Sequence, residues 1–311
     1  MDPLVSVIIP NYCYAQYLEE RIQSVLNQTY QHFELIILDD CSEDEGASRA
    51  IIEKFRDHPH VSHIVYNEVN SGSPFLQWRR GLELAQGDYV WFAESDDACA
   101  PTLLESLLRS ITEYDHVVMS FCKSRCMGDQ QLSEQFNHLQ ERLTGDFCMS
   151  GLEFIRRFLA DYNIVLNASS VLFRRDVALV IDRQFEQMKA CGDWLFWIEM
   201  AERGNVCYVN EELNFFRRHE GCVTQKSIKK GNNLIETGFV YDYLTKHKYM
   251  TKLRAFRWRL QVVYSVIHDG FEDKTATRSF LKIWDPFFVY RMLVPEVFLY
   301  RFFYKVFRWV K

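Results

Sequence analysis

The sequence predicts an α/β fold: a mostly parallel central sheet with helices on both faces, followed by a helical C-terminal extension. Three observations carry it. The first hundred residues alternate between apolar runs of strand length and apolar stripes at helical spacing, the pattern of βαβ units. The strand runs are continuous rather than alternating, as strands covered on both faces require. From residue 231 onward only helical spacing remains, and the balance of charge changes sign.

Residues 5–10 (VSVIIP) form the first strand, and Tyr17, Leu18, Ile22, Val25 and Leu26 then mark a helix. Residues 33–38 are the second strand, followed by a helix with Ile51, Ile52 and Phe55 on one side, and residues 61–66 are the third. Phe75, Trp78, Leu82 and Ala85 make the next helical stripe, and residues 89–93 the fourth strand. Pro101, suited to a first helical turn, opens a helix carrying Leu103, Leu104, Leu107, Leu108 and Ile111. Short connections between such elements imply right-handed crossovers and a parallel sheet, and in such sheets ligands bind beyond the carboxyl ends of the strands. Past residue 115 the pattern loosens. Residues 123–148 are polar, lack a clear period and read as a mobile loop, residues 151–162 as a helix, 163–173 as a strand, 194–203 as a helix and 206–217 as one or two strands. The expected organisation is a domain over residues 1–225, in halves of about 1–115 and 116–225, and a helical tail over 226–311.

Composition narrows the classes. Nine scattered cysteines, without a CxxC pair, suggest neither a disulfide framework nor a zinc site and fit a reducing compartment. The N-terminal segment has no basic flank and a short apolar run, so it reads as a strand rather than a signal peptide. Residues 246–311 carry a net charge of +9 and residues 1–245 one of −15, so the two parts are expected to meet different surroundings.

Two acid clusters follow strands: Asp39-Asp40 after FELIIL, and Glu94, Asp96 and Asp97 after YVWFA. Adjacent carboxylates repel, so a fold keeps them where a cation, a polyol or backbone donors compensate. Helix capping would account for either cluster alone; two on one sheet edge point to a ligand. Hard oxygen donors without a nearby His/Cys set suit Mn2+ or Mg2+, which complete their shells with water and phosphate. There is no GxGxxG and no GxxxxGK[ST], so phosphate would be held through a metal and basic side chains.

The segments VSVIIPNY, SVLNQTYQHFELIILDDCS and NSGSPFLQWRRGLELAQGDYVWFAESDD, followed by NASSVLFRRD, GDWLFW and LNFFRRHEG, resemble in order the motifs of glycosyltransferase family 2, over roughly residues 4–224. The resemblance implies the GT-A fold, with a nucleotide-binding half followed by an acceptor-side half. It places Pro10, Tyr12 and Asp39 at the nucleotide base, Asp40 nearer the ribose and Asp96 at the ribose or donor sugar, with Asp97 on a metal bridging the diphosphate. Glu94 stands where relatives most often have Asp, which leaves its own role open. Asp193 matches the family's general base, and the adjoining Trp194 and Trp197 could shield it or stack on a sugar. A single carboxylate opposite the leaving diphosphate suffices for inverting transfer. Arg217, Arg218 and His219 match a basic segment over the pyrophosphate, His219 being a candidate metal ligand.

In the tail, Arg301, Lys305, Arg308 and Lys311 share one helical face and Leu299, Phe302, Phe303, Val306 and Val310 the other. That is the pattern of a helix lying on an anionic membrane surface, the alternative being a helix packed on the catalytic domain or a dimer partner. The charges interrupt every apolar run before it could span a bilayer. The reading that follows is a metal-dependent inverting glycosyltransferase, using a UDP-sugar and a glycan or lipid-linked acceptor, peripheral on the cytoplasmic face of the membrane. Nucleic acid is not an expected partner, because the larger part is acidic and no nucleic-acid motif is present. The rival is a non-catalytic sugar-nucleotide-binding scaffold subunit, favoured only by the Glu94 departure. A nucleotidyltransferase would want a Gly-rich, basic loop after the first strand, where this chain has PNYCYAQYLEE.

Overall fold

The first strand, β1 (Val5–Asn11), is buried at every position, as its unbroken apolar run requires. In the computed structural model, which describes residues 2–128, 138–219 and 231–269, β1 lies between β2 (Phe33–Asp39) and β4 (Tyr89–Phe92), parallel to both. The strand β3 (Val61–Tyr66) pairs in parallel on the far side of β2. Helices α1 (Ala15–Leu26), α2 (Ala47–Glu53) and α3 (Pro74–Leu84) connect these strands. Pro10 sits within this central strand without leaving a ladder partner unsatisfied. The carbonyl of Ile8 accepts from Ala93 on the β4 side, so two residues on the nitrogen of Pro10 also faces that side, where the β4 register has already ended at Ile8. The sheet therefore opens at this point, at the carboxyl ends of β1 and β4.

The sheet runs β3-β2-β1-β4-β8-β6-β9-β5, with β7 also on β9. Here β5 is Ala98–Cys99, β6 Val117–Gly128, β7 Phe147–Ser150, β8 Val171–Arg174 and β9 Asn205–Arg218. Helix α4 (Leu103–Glu113) leads into β6 and buries Leu103, Leu104 and Leu107 completely, each burial worth about 1.5–3 kcal/mol. Strand β9 changes antiparallel partners along its length: Asn205–Tyr208 pairs with β7, and Asn214–Phe215 with β5. Register shifts at Cys122, Lys123 and Ser124 of β6, its parallel neighbour, mark the irregularity between the two stretches. The two-residue strand β5 follows the acidic turn directly, so its pairing brings the end of β9 alongside Glu94–Asp97.

Three expectations need correction. Residues 123–128 are the continuation of β6, residues 138–140 are helical and Phe147–Ser150 is a strand, rather than one mobile loop. Within 163–173 only Val171–Phe173 is strand, preceded by a 3-10 turn at Ala168–Ser170. Cys148 and Cys207, 59 residues apart, are directly opposite across β7 and β9 and form a disulfide, a pairing that spacing in the chain cannot disclose. The helix α5 (Gly151–Phe154) continues as a π turn over Ile155–Leu159. After α6 (Arg175–Leu179) and a 3-10 turn (Arg183–Gln187), α7 (Gly192–Ala201) leads into β9.

The chain divides into two compact units, Met1–Glu220 and Gly221–Lys311. In the second, α8 (Asn232–Lys246) and α9 (Lys252–Asp269) pack through the Tyr241 and Trp258 rings, 4.2 Å apart, and an Arg259–Asp242 ion pair. The expected amphipathic face at residues 299–311 lies outside the described residues. Among the described residues no helix is long and apolar enough to cross a membrane.

Candidate active site

The loops after β1 and β2 are tied together where the sheet opens. Asp39 Oδ1 accepts from Asn11 Nδ2 and from Ser42 Oγ, each at 2.7 Å, and Oδ2 from the Ser42 amide at 3.0 Å. The Cys13 amide donates to Ser42 Oγ at 2.8 Å. Cys13 and Cys41 both take left-handed conformations, with φ of 58° and 60°, a strained backbone that surrounding contacts must hold. Tyr12 is 40% exposed beside them, whereas Pro10 is buried. Asp40 differs from its neighbour. It is as buried as Asp39, but its carboxylate accepts more hydrogen bonds, from Asn67, Asn70 and Gln77 side chains and from both the amide and the hydroxyl of Ser71. Both oxygens are occupied, so Asp40 ties the end of β2 to the segment that enters α3.

The acidic turn is built around Ser169, in the 3-10 turn before β8. Trp91 Nε1 donates to the Ser169 carbonyl and the Glu94 amide to its Oγ, while that hydroxyl donates to Asp97 Oδ2 at 2.7 Å. Asp97 is 1% exposed. Its Oδ2 also accepts from Asn167 Nδ2 at 2.9 Å, and its Oδ1 from the Arg217 amide at 2.9 Å. Burial and the nearby Asp96 charge push its carboxyl up, against these donors and the charge of Arg21. Asp97 thus stitches the turn to β8 and β9. Glu94 uses its longer reach to accept from Trp78 Nε1 on α3 at 2.8 Å. Burial first, then the Asp96 charge, pushes the Glu94 carboxyl up to about 8, partly offset by the Trp78 bond.

That shift has a signed consequence for stability. A carboxyl whose folded pKa exceeds its unfolded value favours the fold below the unfolded pKa, near 4.5, and loses this contribution as pH rises through about 8. Glu94→Gln keeps an acceptor for Trp78 and does not titrate. In metal-free buffer its Tm is expected to match wild type at pH 4.5 and to exceed it increasingly up to pH 8. Parallel Tm curves across that range would show that Glu94 is not buried in this way.

Asp96 and His219 form the more open pair. Asp96 Oδ2 and His219 Nε2 are 3.0 Å apart, with side chains 15% and 16% exposed. The His219 ring is flanked by Tyr14 at 5.4 Å and Tyr17 at 5.3 Å, both at the start of α1. Arg217 is engaged elsewhere: its Nε donates to the Asp96 carbonyl, its Nη2 pairs with Glu20 at 2.7 Å, and its guanidinium lies over Tyr17. The alternation of β9 turns Arg218 the other way, with its guanidinium 5.6 Å from Phe216 and a buried Nε that no protein acceptor meets. Gly128 lies against it, at φ 116°, where a Cβ would strike the Arg218 carbonyl at 2.6 Å.

Asp193 stands in the first turn of α7, where the helix dipole favours negative charge. Its Oδ2 accepts from Asn163 Nδ2 at 2.8 Å. Gly192 is required here, because a Cβ would meet the Phe75 ring at 2.6 Å and the Phe185 carbonyl at 2.7 Å. Trp194 and Trp197 do not offer faces to a sugar. Both are buried, and Trp194 Nε1 donates to the Leu159 carbonyl at 2.9 Å.

Among the described residues no group of three or more His, Cys, Asp and Glu could hold a metal ion. The carboxylate of Asp96 nonetheless fits Mn2+ or Mg2+, hard ions that take few protein ligands and draw the rest from phosphate and water, and the imidazole nitrogen of His219 beside it suits Mn2+ better than Mg2+. The residues that sequence reasoning missed are the supports: Asn11, Ser42, Trp78, Asn163 and Ser169. Asn167 and Ser169 lie in NASS, a stretch singled out without its purpose being readable, and Asn163 gave no signal.

The model of the family described as "Glycosyl transferase family 2" matches residues 6–177. The chain is 30% identical over 255 residues to the "Putative teichuronic acid biosynthesis glycosyltransferase TuaG" of Bacillus subtilis, covering 82% of this chain and 93% of that protein. A shorter match, 36% over 105 residues, covers 33% of this chain and 31% of the "Poly(ribitol-phosphate) beta-N-acetylglucosaminyltransferase TarP" of Staphylococcus aureus. In fold it is similar to S. aureus TarS 1-349 in complex with UDP-GlcNAc, with a TM-score of 0.55 and 18% identity over 82% of this chain and 75% of that one.

Proposed function

We propose, from the premise that this chain belongs to glycosyl transferase family 2, that it moves a sugar with inversion from a UDP-sugar to a hydroxyl of a glycan or lipid-linked acceptor in cell-surface polysaccharide synthesis. It is a glycosyltransferase with a GT-A-like fold. The donor class is supported by the UDP-GlcNAc bound to TarS, and the acceptor class by the names of TuaG and TarP. The observation that carries the reading is the partly exposed Asp96–His219 pair, held at the open edge of the sheet.

In this reading Pro10 and Tyr12 line the base pocket. Asp39, whose Oδ2 has one protein donor, retains capacity for an N–H of the base. Asp40 anchors the segment before α3 instead of meeting the ribose. The metal belongs at Asp96 and His219 rather than at Asp97, because the hydrogen bonds of Asp97 already hold the turn together. Mn2+ or Mg2+ there would neutralise charge on the diphosphate. Arg218 adds a cation for the departing group, where charge develops, and Arg217 clasps β9 to α1. Asp193 removes the proton of the acceptor hydroxyl, with Asn163 fixing the carboxylate.

Calorimetry with UDP tests the donor site. Binding that requires Mn2+, followed by transfer from UDP-sugars, is the expected result; binding without transfer from any UDP-sugar would favour the scaffold alternative, and no binding with or without metal would remove UDP as the donor nucleotide.

Attachment to the cytoplasmic face of the membrane belongs to the same reading. Residues 246–268 contain six Lys and Arg and no Asp or Glu, and Leu253 and Phe256 at the start of α9 are each 47% exposed. Cations near an anionic surface contribute about 1 kcal/mol each. The full chain should float with vesicles containing anionic lipid and not with neutral vesicles. Equal behaviour with both would remove the electrostatic attachment.

A further inference from the structure

The inward face of α1 presents Leu18, Arg21, Ile22 and Val25, all fully buried. An arginine in this apolar stripe is out of place. Its guanidinium lies over the Trp91 ring at 4.8 Å, and Nε, Nη1 and Nη2 have no hydrogen-bond partner. A guanidinium cannot shed its proton, and an isolated buried cation costs several kcal/mol. Such a group persists only if nearby anions offset the cost.

The nearest carboxyl groups are those of the acidic turn. Trp91, over whose ring the guanidinium lies, donates through Nε1 to the Ser169 carbonyl, and the Ser169 hydroxyl donates to Asp97, so Arg21 lies beneath the turn without a hydrogen bond to it, and its charge acts on Asp97 against the effect of burial. The attraction therefore acts through the low-dielectric interior, where charges interact over longer distances than in water. The buried Cys99 thiol is the other polar group at the guanidinium.

We propose that Arg21 is a positioning residue of the transfer site: a cation sealed beneath the acidic turn that offsets the negative charge gathered at Asp96 and Asp97. It thereby fixes the turn from which Asp96 meets the metal and diphosphate. This rests on the reading of that edge as the donor site. Arg21 touches no substrate, so its loss acts on donor and metal binding rather than on the chemical step.

The test is Arg21→Met, with Arg21→Lys as the charge-conserving control. In the Met variant, the donor KM and the Mn2+ concentration for half-maximal activity should each rise at least tenfold. The value of kcat at saturating donor and metal should stay within a fewfold of wild type, and the Lys variant should recover much of the loss. A purely structural arginine would lower Tm without moving KM or the metal requirement, and that outcome overturns the proposal.

A second readout needs no activity. Asp97→Asn removes the charge that Arg21 faces, so it should cost less Tm in the Arg21→Met background than in wild type. If Arg21→Met does not fold, Arg21→Gln takes its place in the cycle with the same expectation. Absence of any coupling in this cycle also overturns the proposal. If wild type itself transfers no sugar, the reading of the function fails, while the Tm cycle still decides whether Arg21 balances the turn.

Discussion

Asp193→Asn stops sugar transfer and leaves Mn2+-dependent UDP binding close to that of wild type. The expected loss in kcat is about 10²–10⁴-fold, the range for removing a positioned general base. An amide is nearly the same size as the carboxylate, so the packing of Gly192 against the Phe75 ring is not disturbed. It cannot take a proton, however, and the Asn163 Nδ2 donor then meets an amide whose single acceptor must be turned toward it. The donor's base and phosphates are assigned to β1, β2 and the acidic turn, on other elements, so affinity for UDP should be nearly unchanged. Turnover at saturating donor, beside calorimetry of the same preparation, separates the two effects. A variant within tenfold of wild-type kcat would show that the base lies elsewhere.

Asp96→Ala and Asp97→Ala, neighbours in sequence, should fail in opposite ways. Asp96 is partly exposed and its carboxylate meets His219, so its removal should abolish the dependence of UDP binding on Mn2+ while Tm changes little. Asp97 accepts from Asn167, Ser169 and the Arg217 amide in a closed interior. Its removal leaves three buried donors without an acceptor and Arg21 with less negative charge beside it. Breaking a buried charged network of this kind costs about 3–5 kcal/mol, a Tm drop that differential scanning fluorimetry detects easily. The reverse pattern, with Asp97→Ala folded but blind to metal and Asp96→Ala unaffected, would return the metal to Asp97.

The first four strands are readable in the sequence because burial on both faces leaves unbroken apolar runs. The acids stand out because charge at the end of such a run is costly unless something compensates it. What they do is less readable. Asp40 and Asp97 have the same side chain as Asp39 and Asp96, and only the donors gathered around them, from Asn67 to Gln77 and from Asn167 to Arg217, separate an anchor from a ligand. The same limit hides the polar end of β6. Lys123–Gly128 carries no apolar period because it is stabilised by pairing with Glu212–Arg218, some ninety residues on. Arg21 escapes for the opposite reason: helical periodicity records the apolar positions around it and passes over the charge between them.

The stitching of the acidic turn also bears on the order in which the molecule can be assembled during synthesis. The partners of Asp97 lie 70, 72 and 120 residues further along the chain. A nascent chain that has emerged only to residue 160 already holds β1 to β4 and the Asp39 contacts with Asn11 and Ser42, all local in sequence. It contains none of the three side-chain or backbone groups that close around Asp97. Half of the donor site can be built early from neighbouring βαβ units, but the other half waits until β9 has left the ribosome.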